Sequence, residues 1–544
     1  MSGASLWTVL VLFVSGCTAS HYQRAADREA YRIIQDANRH VFGRTNVFTI
    51  DTRYSARRPQ DIPPLEIIED RTQTNRRVLN LTEALDLAVQ NSREYQAQKE
   101  QLYLTALSLT GARYEFTPIF LANSTGQIEG SPDGSDVGSL RSRIGVSQLF
   151  KTGGTLSVAL ANDLLRYFAG RPPGVSRNSA IDLISVDLAQ PLLQGFGQND
   201  PRVESLTQAE RNVVYAIRSF SYYQQQFAVN VVSDYFSLLS RKQEVRNNYT
   251  NYLRRVDLTK FTEARAVDRV RAADVADART AELGARIGYI NSVALYQNQL
   301  DAFKLRLGLP ITETVFLGDA DLRQLERVEL VPVNLKSDVA FALAVGKNLE
   351  LLNAVDRFED SKRKVRLAAD QLKPRLNLFA NASLESEAPS DYAHFDPDKV
   401  RYQVGLSLDN LVDKLPARNV YRATLVSFES QLRSLVSGLD NLRDRIDRGL
   451  RTVEQDRQNY LNLEAALEVA ARRLEMNQML LENGRVQVRD LREAQDALIL
   501  AQNQVTDSVV NYLGARLDVL REVGVLTTGI EQFWLKDPLA KGGP

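Results

Sequence analysis

The chain has 544 residues and equal numbers of basic and acidic side chains, 67 of each, so its formal net charge is zero. This balance argues against a nucleic-acid-binding protein, in which a basic excess or a basic stripe is usual. Gly (29 residues) and Pro (17 residues) are both rarer than average, which indicates long uninterrupted helices. With three His and one Cys, a His/Cys metal cage is close to excluded, an intrachain disulfide is impossible, and we expect no cofactor.

The amino terminus has the pattern of an export signal that ends at the single cysteine. A short apolar stretch, Leu6 to Val14, is followed by Ser-Gly and then by Cys17. Such a stretch with small residues behind it is typical of a signal peptide, although the usual basic residues before the stretch are missing. Small residues before a Cys also resemble a bacterial lipobox, in which the Cys is acylated; the alternative is a buried free Cys. We predict a signal peptide over residues 1–16, lipidation of Cys17 and an acylated N-terminal extension over residues 17–78.

The rest of the chain is predicted to be two copies of one unit. Residues 84–89 (ALDLAV) align without a gap with residues 340–345 (AFALAV), an offset of 256, and Pro118 aligns with Pro374 at the same offset. Further along, Arg269 aligns with Arg485 at an offset of only 216. The first copy therefore contains 40 extra residues. The two structural repeats are predicted to cover residues 79–330 and 331–544.

Each copy is predicted to contain a helix, strands, a very long helix and a half-length helix. In the second copy, apolar residues recur every seven positions from Leu425 to Leu474, which indicates coiled-coil-like packing. A helix of about 65 residues spans about 97 Å, far more than a globular core needs. The predicted helices cover residues 82–116, 202–267 and 274–307 in the first copy, and residues 338–372, 418–482 and 490–523 in the second.

Between the helices, apolar and polar residues alternate with a period of two. Every second residue is apolar from Leu376 to Leu384, and again from Val400 to Leu408. Strands of about ten residues with one apolar and one polar face are typical of a transmembrane β-barrel. The alternative is an antiparallel sheet packed on a soluble core. In the first copy, strands are predicted at residues 119–129 and 181–189, with an extra hairpin at residues 140–162 that accounts for the 40 additional residues.

Four motifs in these copies match the pattern of one protein family. They are Leu-Thr-Glu-Ala-Leu-Asp-Leu-Ala at residues 81–88, a strand pair that begins after a proline, Gln190-Pro191-Leu192, and Asn-Gly-Arg-Val at residues 483–486 with Asp490 downstream. In these features the chain resembles the TolC-like outer-membrane efflux proteins. The resemblance covers the chain from Leu79 to Leu526.

The resemblance implies a fold that is mainly α-helical with a transmembrane β-barrel. In this family, three identical subunits each give four strands to one barrel, and a trimeric hollow α-barrel continues it into the periplasm. The implied function is an outer-membrane channel for export or efflux, a passive duct docked to a periplasmic adaptor protein and an inner-membrane transporter. The lipid-anchored amino terminus would contact outer-membrane lipid. The extra hairpin departs from the family pattern.

The residues alone leave a second function open, a structural or adhesive coiled-coil lipoprotein without a pore. Heptads fit both functions, but a coiled-coil rod has no use for paired amphipathic strands, so the channel is favoured. No catalytic constellation is present. The three His residues are expected at the surface, and Gly195-Phe196-Gly197 lacks the third glycine of a dinucleotide-binding fingerprint. We therefore predict no enzymatic activity and no nucleic-acid partner.

Acidic residues follow the turns between the long and half-length helices, where the resemblance places the periplasmic tip of the channel. Asp490 and Glu493 are three residues apart and share a helix face, so a trimer would carry two rings of carboxylates. We predict a channel gate there, with Asp274 and Asp277 in the equivalent position of the first copy. Crowded like charges favour cations or basic partners such as Arg485 and Arg489. The alternative is a set of ordinary solvated charges at helix ends.

The same turns are predicted to dock the periplasmic adaptor. The resemblance implies that a tip glycine, Gly484 in the second copy, contacts the adaptor, whereas Asp268 occupies that place in the first copy. The predicted docking residues are Gly484, Arg485, Val486, Arg269 and Val270.

Overall fold

The computed structural model of the chain describes residues 19–43, 47–130, 132, 134–171, 173–265, 271–318, 320, 321, 330, 332–387, 394–409, 413–483, 485–529 and 533–535. The predicted signal peptide, Cys17, Asp268, Arg269, Val270 and Gly484 lie outside these residues.

The chain forms two compact units, and each unit is assembled from three separate segments of sequence. The first unit comprises Met1–Phe48, Gln101–Ile217 and Ala354–Val436. The second comprises Thr49–Glu100, Arg218–Asn353 and Ser437–Pro544.

Helices account for most of the described chain. In the amino-terminal part they are α1 (Ala19–Phe42), α2 (Pro64–Thr72), α3 (Leu81–Asn91) and α4 (Arg93–Tyr114). In the remainder they are α5 (Pro201–Arg265), α6 (Ala272–Arg306), α7 (Ser337–Lys347), α8 (Leu349–Asp370), α9 (Leu415–Glu482) and α10 (Val488–Val523). None of the helices in the described part combines the length and the apolarity that crossing a membrane requires.

The two long helices and the two half-length helices are confirmed, with ends within a few residues of the predicted ones. α5 and α9 have 65 and 68 residues, and α6 and α10 have 35 and 36. α5 begins at Pro201, whose fixed φ suits a first helical position. α10 ends at Gly524 with φ +77°, and a Cβ there would lie 2.7 Å from the backbone of Lys347. Only glycine fits this left-handed cap without strain.

Each predicted short helix is in fact two helices, which corrects the single spans 82–116 and 338–372. The first breaks at Ser92 and the second at Asn348, where the backbone is extended. The Asn348 side chain accepts a hydrogen bond from the Leu351 amide at 3.0 Å, so it caps the helix that follows. Ser and Asn compete for backbone groups in this way, and a polar residue at such a break ends one helix and begins the next. The two breaks are 256 residues apart, the offset of the sequence repeat.

Six strands of the first unit form one antiparallel sheet in the order β2-β3-β4-β5-β7-β8. The predicted strands are confirmed, and the extra hairpin is part of the sheet because β3 pairs with β2 and β4 pairs with β5. Several strands extend beyond the alternating stretches that revealed them. Their bounds are β2 Ile119–Gly130, β3 Asp136–Leu149, β4 Thr155–Ala169, β5 Asn178–Pro191, β7 Arg375–Glu385 and β8 Arg401–Asp409. In the second unit, β1 (Arg76–Leu79) pairs in parallel with β6 (Thr314–Leu317).

The core of the second unit lies between α3, α5, the end of α6 and α10. Apolar side chains from these helices and from the β1–β6 pair bury one another almost completely, and Trp534 joins them. The central members contributed by α10 are Leu513, Leu517 and Leu520, each about 1% exposed.

Truncation of Leu517 tests this core. Leu517→Ala removes buried methyl groups and leaves a cavity, so we expect it to lower the free energy of unfolding by about 2–5 kcal/mol. Leu500 lies on the same helix but is 59% exposed, so Leu500→Ala is the matched control with an expected change within about 0.5 kcal/mol. Denaturant titration followed by the fluorescence of Trp534 measures both. Equal losses would show that α10 does not bury Leu517 as described.

Candidate functional site

The sheet has one apolar and one polar face. On one face, the strand register aligns apolar residues across all six strands; on the other, the adjacent row is mostly polar. The apolar row consists of Phe120, Val146, Val158, Val186, Ala382 and Tyr402. The polar row consists of Ile119, Ser147, Ser157, Asp187, Asn381 and Gln403.

Within the chain, large side chains of the apolar face are exposed. Tyr402 is 80% exposed, and Val404, Leu406 and Leu408 further along β8 are each more than 60% exposed. A soluble sheet of this kind would bury such a face against a core, because monomeric proteins rarely expose contiguous apolar patches of this size. The exposure of this face therefore favours a surface that another molecule or a membrane covers.

A row of polar residues crosses the apolar face toward the end away from the helices. Ser124 and Ser142 share a hydrogen bond of 2.8 Å, Asn162 donates to Asp182, and the Asp182 amide donates to the Ser386 hydroxyl at 2.9 Å. Between this row and the helices, the apolar positions of β7 extend from Leu376 to Leu384, about 26 Å along the strand. This length is comparable with the apolar band of about 25 Å found on membrane-spanning sheets.

At its other end the sheet joins the helices around a polar cavity of about 770 Å³. The charged groups that line it hold the junction together. Asp370 accepts a hydrogen bond from the Gly195 amide at 2.7 Å and pairs with Lys373 at 2.6 Å. Arg202 pairs with Asp200 at 2.8 Å and donates to the Gly153 carbonyl. Gly195 thus lies in the turn that connects β5 to α5. This agrees with the absence of a third glycine after Gly195-Phe196-Gly197, which argued against a dinucleotide-binding site.

The two acidic residues predicted to form the gate lie in the first turns of α10, and each already has a partner. The Asp490 carboxylate accepts a hydrogen bond from the Gln487 amide at 3.0 Å and so closes a capping box. Glu493 pairs with Arg489 at 3.0 Å and with Arg473 at 3.9 Å. The predicted pairing with Arg489 is present. Two carboxylates and two guanidinium groups therefore lie at this turn. The sequence prediction had considered mainly the acidic residues.

The equivalent turn of the first copy has a similar arrangement. Asp274 lies in the first turn of α6 and pairs with Arg271 at 3.2 Å, while Asp277 is exposed one turn later. Of the predicted docking residues in the described chain, Arg485 is exposed and Val486 is half-buried.

A polar seam between α5 and α10 was not predicted from the sequence. Along this antiparallel pair of helices, three polar residues of α5 contact three of α10, and the third contact is an ion pair between a buried arginine and an exposed aspartate. Arg255 is only 2% exposed, donates to Asp496 at 2.6 Å and to the Arg492 carbonyl at 3.0 Å. The seam consists of the pairs Ser240–Asp507, Asn247–Asn503 and Arg255–Asp496.

Burial has a measurable consequence for Arg255. Loss of hydration lowers the pKa of its guanidinium, and its buried Nη1 atom has no hydrogen-bond partner within the described chain. The spacing of residues 240, 247 and 255, which puts them on one helix face, was the available signal.

Solved structures provide the comparison for this arrangement, since no protein-family model and no curated protein matches the chain. The CmeC outer membrane channel of Campylobacter jejuni superposes with a TM-score of 0.58 at 13% identity, over 82% of this chain and 85% of that one. VceC of Vibrio cholerae gives 0.59 at 12% identity, over 82% and 96%. The open-state MtrE channel of Neisseria gonorrhoeae gives 0.59 at 12% identity, over 82% and 88%.

The chain has the TolC-like channel fold. The fold that the sequence resemblance implied is therefore confirmed, with helices and an antiparallel sheet in the expected order. The departure lies in the sheet, because this chain contributes six strands to it where the family pattern has four.

The Arg255–Asp496 pair can be tested by removing one partner at a time. Asp496→Ala leaves a buried guanidinium without its carboxylate, and we expect a loss of about 1–3 kcal/mol in the free energy of unfolding. Arg255→Met keeps the volume and removes the buried charge, so its loss is expected to be smaller. Denaturant titration of the two variants shows which of them loses more free energy of unfolding. A larger loss for Arg255→Met would mean that the ion pair itself, net of desolvation, stabilises the helix pair.

Proposed function

We propose that the protein is an outer-membrane channel of an export or efflux system, a passive duct without enzymatic activity. The observation that carries this proposal is the two-faced sheet: its exposed apolar face suits lipid, and its polar face suits a water-filled passage. The long helices attached to one end of the sheet supply a continuation into the periplasm. A wall with this division of polarity needs no further chemistry to conduct solutes.

The competing function, an adhesive or structural coiled-coil lipoprotein, accounts for the heptads of α9 but not for the sheet. Leu432 of the heptad series is exposed within the chain, whereas Ile446 and Val453 are buried. An exposed stretch of a heptad series suits packing against neighbouring subunits. This supports a homotrimer in which the helices of three copies pack side by side.

Within this proposal, a periplasmic adaptor protein and an inner-membrane transporter complete the export system. The turns around Arg485 and Val486, with Gly484 and the first-copy residues Arg269 and Val270, form the proposed adaptor-docking surface. The exposure of Arg485 is compatible with a contact of this kind.

The proposed gate comprises Asp490 and Glu493, with Asp274 and Asp277 as the equivalent pair. Three copies bring six carboxylates of the first pair around one axis, together with the guanidinium groups of Arg489 and Arg473. Because Glu493 is paired with both arginines, its removal would leave their positive charge uncompensated. The acids therefore offset the positive charge of the arginines, and their removal would make the local field positive.

The channel and its gate are tested together by single-channel recording. Purified wild-type protein should conduct in a planar bilayer, and trivalent cations added to the periplasmic side should block it. The double variant Asp490→Asn with Glu493→Gln should lose the block and shift selectivity toward anions, because Arg473 and Arg489 lose their acidic partners. The pair Asp274→Asn with Asp277→Asn tests the equivalent turn of the first copy separately. Block that persists unchanged in the first variant and disappears in the second would move the gate to the first-copy turn.

The course of α1 supports a lipid anchor at the amino terminus. Tyr103 on α4 donates a hydrogen bond to Asp27 at 2.6 Å, and Gln96 on α4 donates to the Ile50 carbonyl at 2.7 Å. Asp27 lies ten residues after Cys17, and the part of α4 that it contacts leads directly into β2. The helix that follows the proposed anchor therefore packs on a helix that is continuous with the sheet.

Mass spectrometry of the mature protein tests this anchor. Acylation of Cys17 after removal of residues 1–16 should give an N-terminal peptide that begins at Cys17 and carries the mass of its lipid chains. In Cys17→Ser the lipid should be absent while the helices and the sheet remain. An unmodified peptide that continues through residues 16 and 17 would contradict the anchor.

A further inference from the structure

The sheet has two open edges, β2 and β8. Each of these strands pairs with another strand on one side only, and almost all of their residues are exposed. Such an edge presents unpaired backbone N–H and C=O groups, which form a template for pairing with another strand. All five pairings within the sheet are antiparallel, so β8 runs opposite to β2. A β8 placed against the β2 of a second copy would therefore continue the antiparallel pattern.

The strand ends next to the helices are stepped across the sheet. Ile119 is the first residue of β2. When paired residues are followed from strand to strand across the sheet, the residue of β8 in line with Ile119 is Gln403. β8 continues six residues beyond Gln403 before it ends at Asp409, on the same side of the sheet. The step is thus about 20 Å over a sheet width of about 24 Å, which corresponds to a strand tilt of about 40°. Closed barrels have strand tilts of about 35–45°.

Closure of one barrel by three copies is what the TolC-like resemblance implies; we propose that in this chain the β3–β4 hairpin lies within that wall, so that the β8 edge of each copy pairs with the β2 edge of the next and three copies close one cylinder with six strands each, 18 in total. The proposal rests on the proposed function as a trimeric channel and extends it to the construction of the wall. A head-to-tail contact of this kind generates a closed ring when its rotation closes.

The features of the edges select a second copy as the partner. A single chain offers both complementary edges, with opposite strand direction and with the tilt that closure needs. Pairing by an even register shift also brings Leu406 and Leu408 of one copy beside Phe120 and Ala122 of the next, so the apolar face continues without interruption. An odd shift would put apolar residues into the polar face.

The six-stranded sheet has a direct effect on the width of the passage. The diameter of a barrel grows roughly linearly with the number of strands, so 18 strands make a cylinder about half again as wide as the 12 that the family pattern implies. The β3–β4 hairpin is the cause, because it is hydrogen-bonded on both sides within the sheet. The inserted residues therefore form part of the wall and enlarge it.

Disulfide cross-linking tests the edge contact. Gln403→Cys on β8 is combined in turn with Asn123→Cys, Thr125→Cys or Gln127→Cys on β2. These three positions are successive residues on the polar face of β2, so they test three neighbouring registers of the contact. We expect one of these pairs to give covalent dimers and trimers on a denaturing gel after oxidation, while each single variant gives monomers. The matched control, Ser185→Cys with Ser383→Cys, joins residues paired within one chain and should not raise the mass. If the control disulfide forms but none of the three test pairs gives covalent dimers or trimers, the proposal is wrong.

Labelling of the hairpin and a count of copies test the 18-stranded wall. With a water-soluble maleimide in proteoliposomes, Arg143→Cys on the polar face of β3 should react, whereas its neighbour Ile144→Cys on the apolar face should be protected. Equal reaction would place the hairpin outside the wall. Native mass spectrometry should give three copies, and any other number would exclude 18 strands. Wild-type protein that conducts but forms no edge cross-link would refute this proposal alone, whereas absence of conductance would refute the proposed function.

Discussion

A sheet with an exposed apolar face and two unpaired edges cannot remain as it is in water, and the rest of the molecule depends on how this constraint is met. The apolar face needs a non-aqueous environment, and the edge strands need partners for their backbone groups. A membrane and further copies of the same chain meet both needs. The helices then have a fixed attachment point, because they leave the sheet at one side, around the ion pairs of Asp370 and Asp200.

The helical part is stabilised by a different balance of forces. Its core is apolar, but the seam between α5 and α10 places polar groups, including the Arg255 guanidinium, where water is excluded. Polar pairs contribute little net stability there, yet leaving one unpaired is costly, so they favour one alignment of the two helices over others. At the surface, three of the proposed gate carboxylates are held in a similar way: Asp490 by a capping box, Glu493 by two arginines and Asp274 by Arg271.

The two copies predicted from the sequence share a helix break and differ in the number of strands. Ser92 and Asn348 interrupt equivalent helices at the repeat offset, and both end one helix and begin another. The β3–β4 hairpin occurs only in the first copy among the described residues, and its insertion changed the size of the sheet without changing its antiparallel order. Addition of an even number of strands preserves the directions of both edges, which allows the same mode of assembly at a larger diameter.

The sequence by itself determined the helix and strand types and the two-faced strands, and its matched offsets predicted the duplication and the 40 extra residues. The helix and strand types follow from local periodicity, which depends on backbone geometry alone. Only the tertiary structure decided that the hairpin lies within the sheet, that Asp490 is used as a helix cap, and that Arg255 is buried beside Asp496. Strand order, capping partners and the burial of a charge depend on which distant segments meet, and the period of a pattern carries no information about its neighbours in space.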